Sequence, residues 1–345
     1  MNVAILADKH NAASEAKEIQ QALEQGEHQA RILEVEKDVM ASLQAMRPEI
    51  CVIAPRTSGS SGSLQEMLEL LQIPYLGSGS EACRLSVDEQ LSMFAMRRYA
   101  EASEEDVVVE PLVSFRFPPE LIQTNSEALI EACEKRIPGG YPFEVQAGWQ
   151  GWQAEAQFKA QTEDQSGAQG KVKDKEDAES QGNGQGERTF SSEGLSADSL
   201  KAFTKIGTHE ELAVAFASCA KTGCVVRQWV EGVRLSVAVL GTGWDAHVLP
   251  PFDKATQAPV GASALAFDEQ VAQAIRSEIE RCAFEICLAL GVRDFALVEL
   301  IWDGAQVRFS GVETLPSLTV DSAFALACKA SGLSVEGVLN HLVSL

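Results

Sequence analysis

A chain of 345 residues has room for two or three domains with well-filled cores. Its formal net charge of −22 repels phosphate backbones and anionic lipid, which argues against nucleic acid or a membrane as the main partner. Eight cysteines, none in C-x-x-C spacing and several inside apolar runs, point to reduced buried thiols rather than a disulfide framework or a zinc site. No apolar stretch approaches the roughly 20 residues that cross a bilayer, and the start has neither a basic cluster nor a small-residue cleavage site. A cytoplasmic protein is expected.

The first 80 or so residues alternate short apolar runs with amphipathic patterns. Strands are predicted over 3–7, 30–35 and 50–54, with helices over 14–25 and 39–46 between them. This alternation is the signature of a parallel sheet with crossover helices. A helix follows over 88–99, a valine-rich strand over 106–115, a helix over 126–135 and a strand over 141–145. From about 150 to 200 the composition turns to Gln, Gly, Ser, Glu, Asp and Lys, too polar to offset its ordering entropy, so a disordered insert is expected. Structure resumes with a helix over 210–221, strands over 224–230 and 234–240, and a long helix over 268–290. Strands over 295–302 and 306–311 flank Asp303-Gly304, a two-residue hairpin signal. Two helices, 322–331 and 334–345, finish the chain.

The run Gly59-Ser60-Ser61-Gly62-Ser63-Leu64-Gln65, continuing through Leu68-Glu69 to Ile73-Pro74-Tyr75-Leu76-Gly77-Ser78-Gly79, resembles the bacterial D-alanine–D-alanine ligases. The resemblance covers most of the chain apart from the insert. It implies an α/β protein: an N-terminal parallel α/β domain (1–86) followed by a two-lobed ATP-grasp α+β module (87–230 and 231–345). It also implies ATP and magnesium as cofactors, a homodimer, and the family reaction, ATP-dependent formation of D-alanyl-D-alanine through an acyl phosphate for peptidoglycan. Such chemistry needs cations and backbone N–H donors for phosphates, carboxylates for magnesium, and a fixed positive group for the oxyanion.

By the same resemblance, Glu15 (or Glu18), Ser78 and Ser322 fall at substrate-binding positions, and Trp229, Val230 and Ile301 along the nucleotide. For Ser322 a helix N-cap is the preferred reading. The glycine-rich run has two readings of equal weight, substrate contact or packing of the first domain against the second. Glu299 and Glu313 are the candidate metal ligands, although a strict two-residue turn pairs Glu299 with Arg308 and turns Glu313 to the opposite face; a three-residue turn restores a shared face. Other positions depart from the family pattern. Phosphate-binding lysines are replaced by Glu89 and Gln146. Glutamates that accept hydrogen bonds from adenine and ribose become Arg227 and Arg234, which have only donors. Leu297 takes the place of an arginine, Gly311 of the bridging glutamate, and Pro55 of a histidine.

These losses concentrate on groups that handle charge while the apolar patterns persist. Three readings follow: a working ligase with a rebuilt nucleotide site, an impaired or non-catalytic relative that binds a small molecule or regulates a protein partner, and an ATP-grasp enzyme with a different nucleotide or acid substrate. The second is favoured. Arg227 and Arg234 are expected to form surface ion pairs, with a new anionic site as the alternative.

Overall fold

In a computed structural model the described residues are 1–8, 13–36, 38–54, 61–103, 109–147, 204–261, 265 and 267–345. The expected insert lies outside them, as do His10, Pro55, Gly59-Ser60, the run Gly148–Trp152 and Lys201. The chain forms two compact units, Met1–Leu112 with Val230–Leu345, and Val113–Trp229.

The first unit opens with β1 (Asn2–Ala7), α1 (Ala13–Gln25), β2 (Gln29–Glu34), α2 (Val39–Met46) and β3 (Ile50–Ile53), whose strands pair in parallel in the order β2-β1-β3. Alternate residues of β1 serve opposite faces, as the two-residue period of a strand requires. Val3 and Ile5 join Ala16, Ile19 and Leu23 of α1, while Ala4 and Leu6 join Leu43, Leu64 and Leu68. Helices α3 (Ser63–Leu71), α4 (Ser80–Ser86) and α5 (Glu89–Ser103) follow, then the short β4 (Glu110–Pro111). The single strand expected over 106–115 is therefore divided. Pro111 has no N–H for a ladder and ends β4, and the chain enters its second unit before the next strand.

The second unit contains β5 (Ser114–Phe117), α6 (Pro119–Arg136), β6 (Phe143–Ala147), β7 (Thr204–Ile206), α7 (His209–Ser218) and β8 (Cys224–Gln228). Its sheet is antiparallel in the order β5-β8-β6-β7. One face is apolar: Phe117, Phe143, Val145, Ile206, Cys224 and Val226 pack with Ile122, Ile130, Leu212 and Phe216 of the two helices. The helix expected over 126–135 starts earlier, where proline is tolerated in the first turn, and is kinked at Asn125.

Back in the first unit come β9 (Val233–Leu240), β10 (His247–Val248), β11 (Phe252–Asp253), β12 (Ala258–Pro259), α8 (Glu269–Leu290), β13 (Phe295–Trp302), β14 (Val307–Glu313), α9 (Ala323–Ala330) and α10 (Val335–Val343). The strands form one sheet in the order β12-β11-β9-β13-β14-β4, with β10 also on β9. Helix α8 starts where Asp268 accepts the Val271 N–H and stops at Gly291, which takes the left-handed conformation. Its buried stripe, Ala272, Ile275, Ile279, Ala283, Ile286 and Leu290, lies in one core with Val237, Val239, Ala296, Val298, Leu300 and Phe309. On the other face of the sheet Ala238, Phe295 and Leu297 share a core with Val3, Ile5 and Phe324. The architecture is the expected α/β class: a parallel N-terminal sheet followed by antiparallel sheets covered by helices.

Candidate functional site

The polar face of the second unit's sheet is set by register. Ser114, Arg227, Glu144 and Lys205 stand opposite one another across β5, β8, β6 and β7 and therefore share one face. Arg227 Nε donates to Glu144 Oε2 at 2.5 Å, with the two side chains only 3% and 2% exposed. The ion pair expected for Arg227 exists, but it is buried rather than on the surface. Two residues beyond Arg227, the half-buried Trp229 carries Lys205 Nζ over its ring, 4.3 Å from the centroid. Gln146 follows Glu144 on the same face and is half-buried. This row alternates cation and anion, and Arg227 and Glu144 pair within the sheet.

In the first unit the corresponding feature is the face of β9, β13 and β14 that carries Phe295 and Leu297. Along β13 this face is apolar at both residues and turns polar at Glu299. Ser236, directly opposite on β9, donates its hydroxyl to Glu299 Oε1 at 2.9 Å, and Lys254 Nζ donates to Oε2 at 2.6 Å. Lys254 follows β11, where its N–H bonds to the Arg234 carbonyl. The stretch 250–261 carries the small β11–β12 hairpin that presents this lysine.

The β13–β14 hairpin departs from the two-residue turn. Asp303 Oδ1 accepts the N–H groups of Ala305 and Gln306, Oδ2 accepts from Arg308 Nε at 2.9 Å, and the Asp303 N–H donates to the Gln306 carbonyl at 3.2 Å, so Asp303–Gln306 becomes a four-residue loop braced by the Asp303 side chain. Trp302 then pairs with Val307, and a bulge between Glu299 and Leu300 shifts the ladder. As a result Glu299 faces Gly311 and Leu297 faces Glu313, which brings Glu299 and Glu313 to the same face. The expectation that they point to opposite faces is thus corrected. Arg308 pairs with Ile301 rather than with Glu299.

A shared face does not make a magnesium site. Hard divalent cations need several oxygen ligands at short range. Both Glu299 oxygens already accept hydrogen bonds, and the residue directly opposite, Gly311, has no side chain to offer. Among the described residues no three His, Cys, Asp or Glu side chains converge as metal ligands do. The residues present do not fit the ion that the resemblance implies.

The remaining predicted positions have local explanations. Glu15 is buried and accepts the Leu318 N–H at 2.7 Å, and Glu18 accepts that of Val320 at 3.4 Å, so both tie α1 to the segment before α9. Ser322 caps α9, accepting from Ala325 N at 3.1 Å, as the N-cap reading expects. Glu89 begins α5, where a carboxylate suits the helix dipole. Val230 is half-buried, Ile301 is buried, and Leu297 lies in the core. Arg234 is half-buried on the Glu299 face, opposite Ile301.

The glycine-rich run is held by hydrogen bonds inside the first unit. Gly77 N donates to Asp294 Oδ2 at 2.8 Å, Ser78 Oγ accepts from Arg293 N at 3.2 Å, and Arg293 Nη2 donates to the Gly77 carbonyl at 3.2 Å. Glu69 accepts from the Tyr75 hydroxyl at 2.6 Å and from the Ser80 hydroxyl at 2.8 Å, and these bonds hold its carboxyl below the usual range. Gln65 is fully buried and donates to Cys83 Sγ. At Gly62, with φ +85°, a Cβ would lie 2.5 Å from the Ser80 carbonyl oxygen, so this close backbone approach requires glycine.

All eight cysteines are free and buried, as their apolar surroundings predict. Burial pushes Cys51, Cys133, Cys282 and Cys287 up to about 12, which leaves them without thiolate character. Among the described residues no helix is long and apolar enough to cross a membrane.

Two residues central to this geometry escaped sequence reasoning, Glu144 and Lys254. Glu144 left a signal, a lone acid in the otherwise apolar run Tyr141-Pro142-Phe143-Glu144-Val145. Lys254 left none, since a single lysine in a loop is ordinary.

Comparison with known proteins agrees with the resemblance. Residues 199–344 match the family described as "D-ala D-ala ligase C-terminus". The D-alanine–D-alanine ligase of Pelotomaculum thermopropionicum is 24% identical over 91% of this chain and 85% of its own length. That of Desulforudis audaxviator is 24% identical over 94% and 90%. Among solved structures, the Bacillus anthracis ligase complexed with ATP aligns at TM-score 0.65 and 13% identity, covering 100% of this chain and 96% of that one. The Coxiella burnetii ligase aligns at TM-score 0.66 and 14% identity, covering 100% and 95%. A family match over residues 199–344, relatives along nearly the whole length and a shared fold together support a divergent member of the D-alanine–D-alanine ligase family with an ATP-grasp fold.

Proposed function

We propose that this member keeps the ligase scaffold but does not carry out ATP-dependent D-alanyl-D-alanine formation, and that it acts by binding a small molecule or a protein partner in the cytoplasm. One observation carries the proposal: Arg227, at the position where the resemblance implies a glutamate accepting from adenine, is buried against Glu144. A guanidinium cannot accept a hydrogen bond, and its Nε donor is already given to a carboxylate of the same sheet. The absence of side-chain oxygen at Gly311 and the lysine on Glu299 support the same reading for magnesium. The loss of each charge-assisted contact typically costs a few kcal/mol of transition-state stabilisation.

The test is ADP release from ATP and magnesium, with and without D-alanine, on the full-length protein. No D-alanine-dependent release is expected. Sustained D-alanine-dependent turnover would establish a working ligase with a rebuilt nucleotide site, the second reading, which Lys205 over the Trp229 ring favours.

A further inference from the structure

The misfit with magnesium at Glu299 has a specific cause. A carboxylate that binds a metal presents its oxygens to the ion, with further oxygen ligands beside it. Here Lys254 Nζ sits 2.6 Å from Oε2, and the Ser236 hydroxyl takes Oε1 at 2.9 Å. The Glu299 side chain is only 14% exposed, whereas the Lys254 side chain is 46% exposed and reaches it from the β11–β12 hairpin. Register removes the other half of a metal site, because the residue directly across from Glu299 is Gly311, and Glu313 lies two pairs further along, opposite Leu297. A compact monovalent cation with three donors suits a single carboxylate, whereas a small divalent ion held by one carboxylate and a hydroxyl gains too little to give up its water.

We infer that the Lys254 ammonium is the resident cation of this site, a built-in replacement for a divalent metal, so that Glu299 binds no magnesium and any anionic ligand taken on this face is taken without it. The inference deepens the non-catalytic reading and rests on it, and it makes a claim about two side chains that can fail separately. A loop lysine is cheaper to place than a second carboxylate, since it needs no change in the β14 register and no glycine-to-acid substitution at the bulge. It also keeps Glu299 neutralised whether or not a nucleotide is bound.

The test uses manganese as the probe, on the full-length protein without nucleotide, read as paramagnetic broadening of the Ser236 and Gly311 amide signals. In the wild type these signals should broaden no more than in Glu299→Gln, because only the general acidity of the surface attracts the ion. Lys254→Met should broaden them at a manganese concentration at least tenfold lower, and Lys254→Met with Glu299→Gln should abolish the gain. Lys254→Arg keeps the charge and should behave as wild type. Glu299-dependent broadening in the wild type at the concentration needed by Lys254→Met would overturn the inference, and so would a Lys254→Met protein indistinguishable from wild type. Manganese bound at Glu299 in a protein without D-alanine-dependent turnover would remove the lysine assignment and leave the proposed function standing. Turnover with no manganese bound at Glu299 would do the reverse.

Discussion

Arg227 and Glu144 face each other across two central strands, so removing either partner leaves the other charge buried. Breaking a buried pair of this kind typically costs about 3–5 kcal/mol, whereas replacing both members with apolar residues is often neutral. Arg227→Met should therefore lower the unfolding free energy in urea by about that amount, and adding Glu144→Met should recover most of it. An Arg227→Met protein as stable as wild type would show that the pair does not hold this face together. The contrast with Lys254 and Glu299 is instructive. That pair is half in water, where screening reduces an ion pair to at most about 1 kcal/mol, so its significance lies in what it excludes rather than in stability.

Elements impose their own constraints. The turn from β8 into β9 passes through Gly232 at φ +155°, where a Cβ would come within 2.2 Å of the Trp302 carbonyl oxygen. Backbone cannot retreat as a flexible side chain can, so Gly232→Ala should destabilise the protein by at least about 2 kcal/mol in the same urea measurement. A neutral substitution would mean that this turn is free to move. In the second unit His209 of α7 clasps α6, its Nδ1 at 2.9 Å from Glu134 and its Nε2 at 3.5 Å from Glu127. The Glu134 hydrogen bond raises the imidazole above its ordinary value, and His209, followed by Tyr141, holds the Glu134 carboxyl below the usual range. The histidine contribution is fully present below the ordinary histidine pKa and is lost as pH rises through the raised value. The carboxyl contribution is present above the ordinary carboxylate pKa and is lost as pH falls through the lowered one. The clasp is accordingly strongest between those limits. An NMR titration should find the His209 pKa above that of an exposed histidine and returned toward it in Glu134→Gln; equal values in the two proteins would refute the clasp.

For the molecule as a whole, strand periodicity made the parallel N-terminal sheet legible, because each strand buries alternate residues in two cores, and the helical stripe of α8 was equally plain. The hairpin register was not, because the Asp303 side chain builds a longer loop and a bulge then shifts the ladder, both tertiary choices that a two-residue turn signal does not encode. The substitutions at Arg227 and Gly311 could be read in the chain, whereas the partners of Arg227 and Glu299 could not. Glu144 is 83 residues from Arg227 and Lys254 is 45 from Glu299, and only the fold brings each pair together. The proposed function rests on a ligase-like scaffold in which Arg227 and Glu299 are each paired inside their own unit. The measurement that tests this most directly is calorimetric titration of the full-length protein with ATP and magnesium. The account predicts no binding heat up to millimolar ATP. Saturable binding at micromolar ATP would contradict it, because the nucleotide would then have found acceptors and cations that Arg227, Glu144 and Lys254 are here held not to supply.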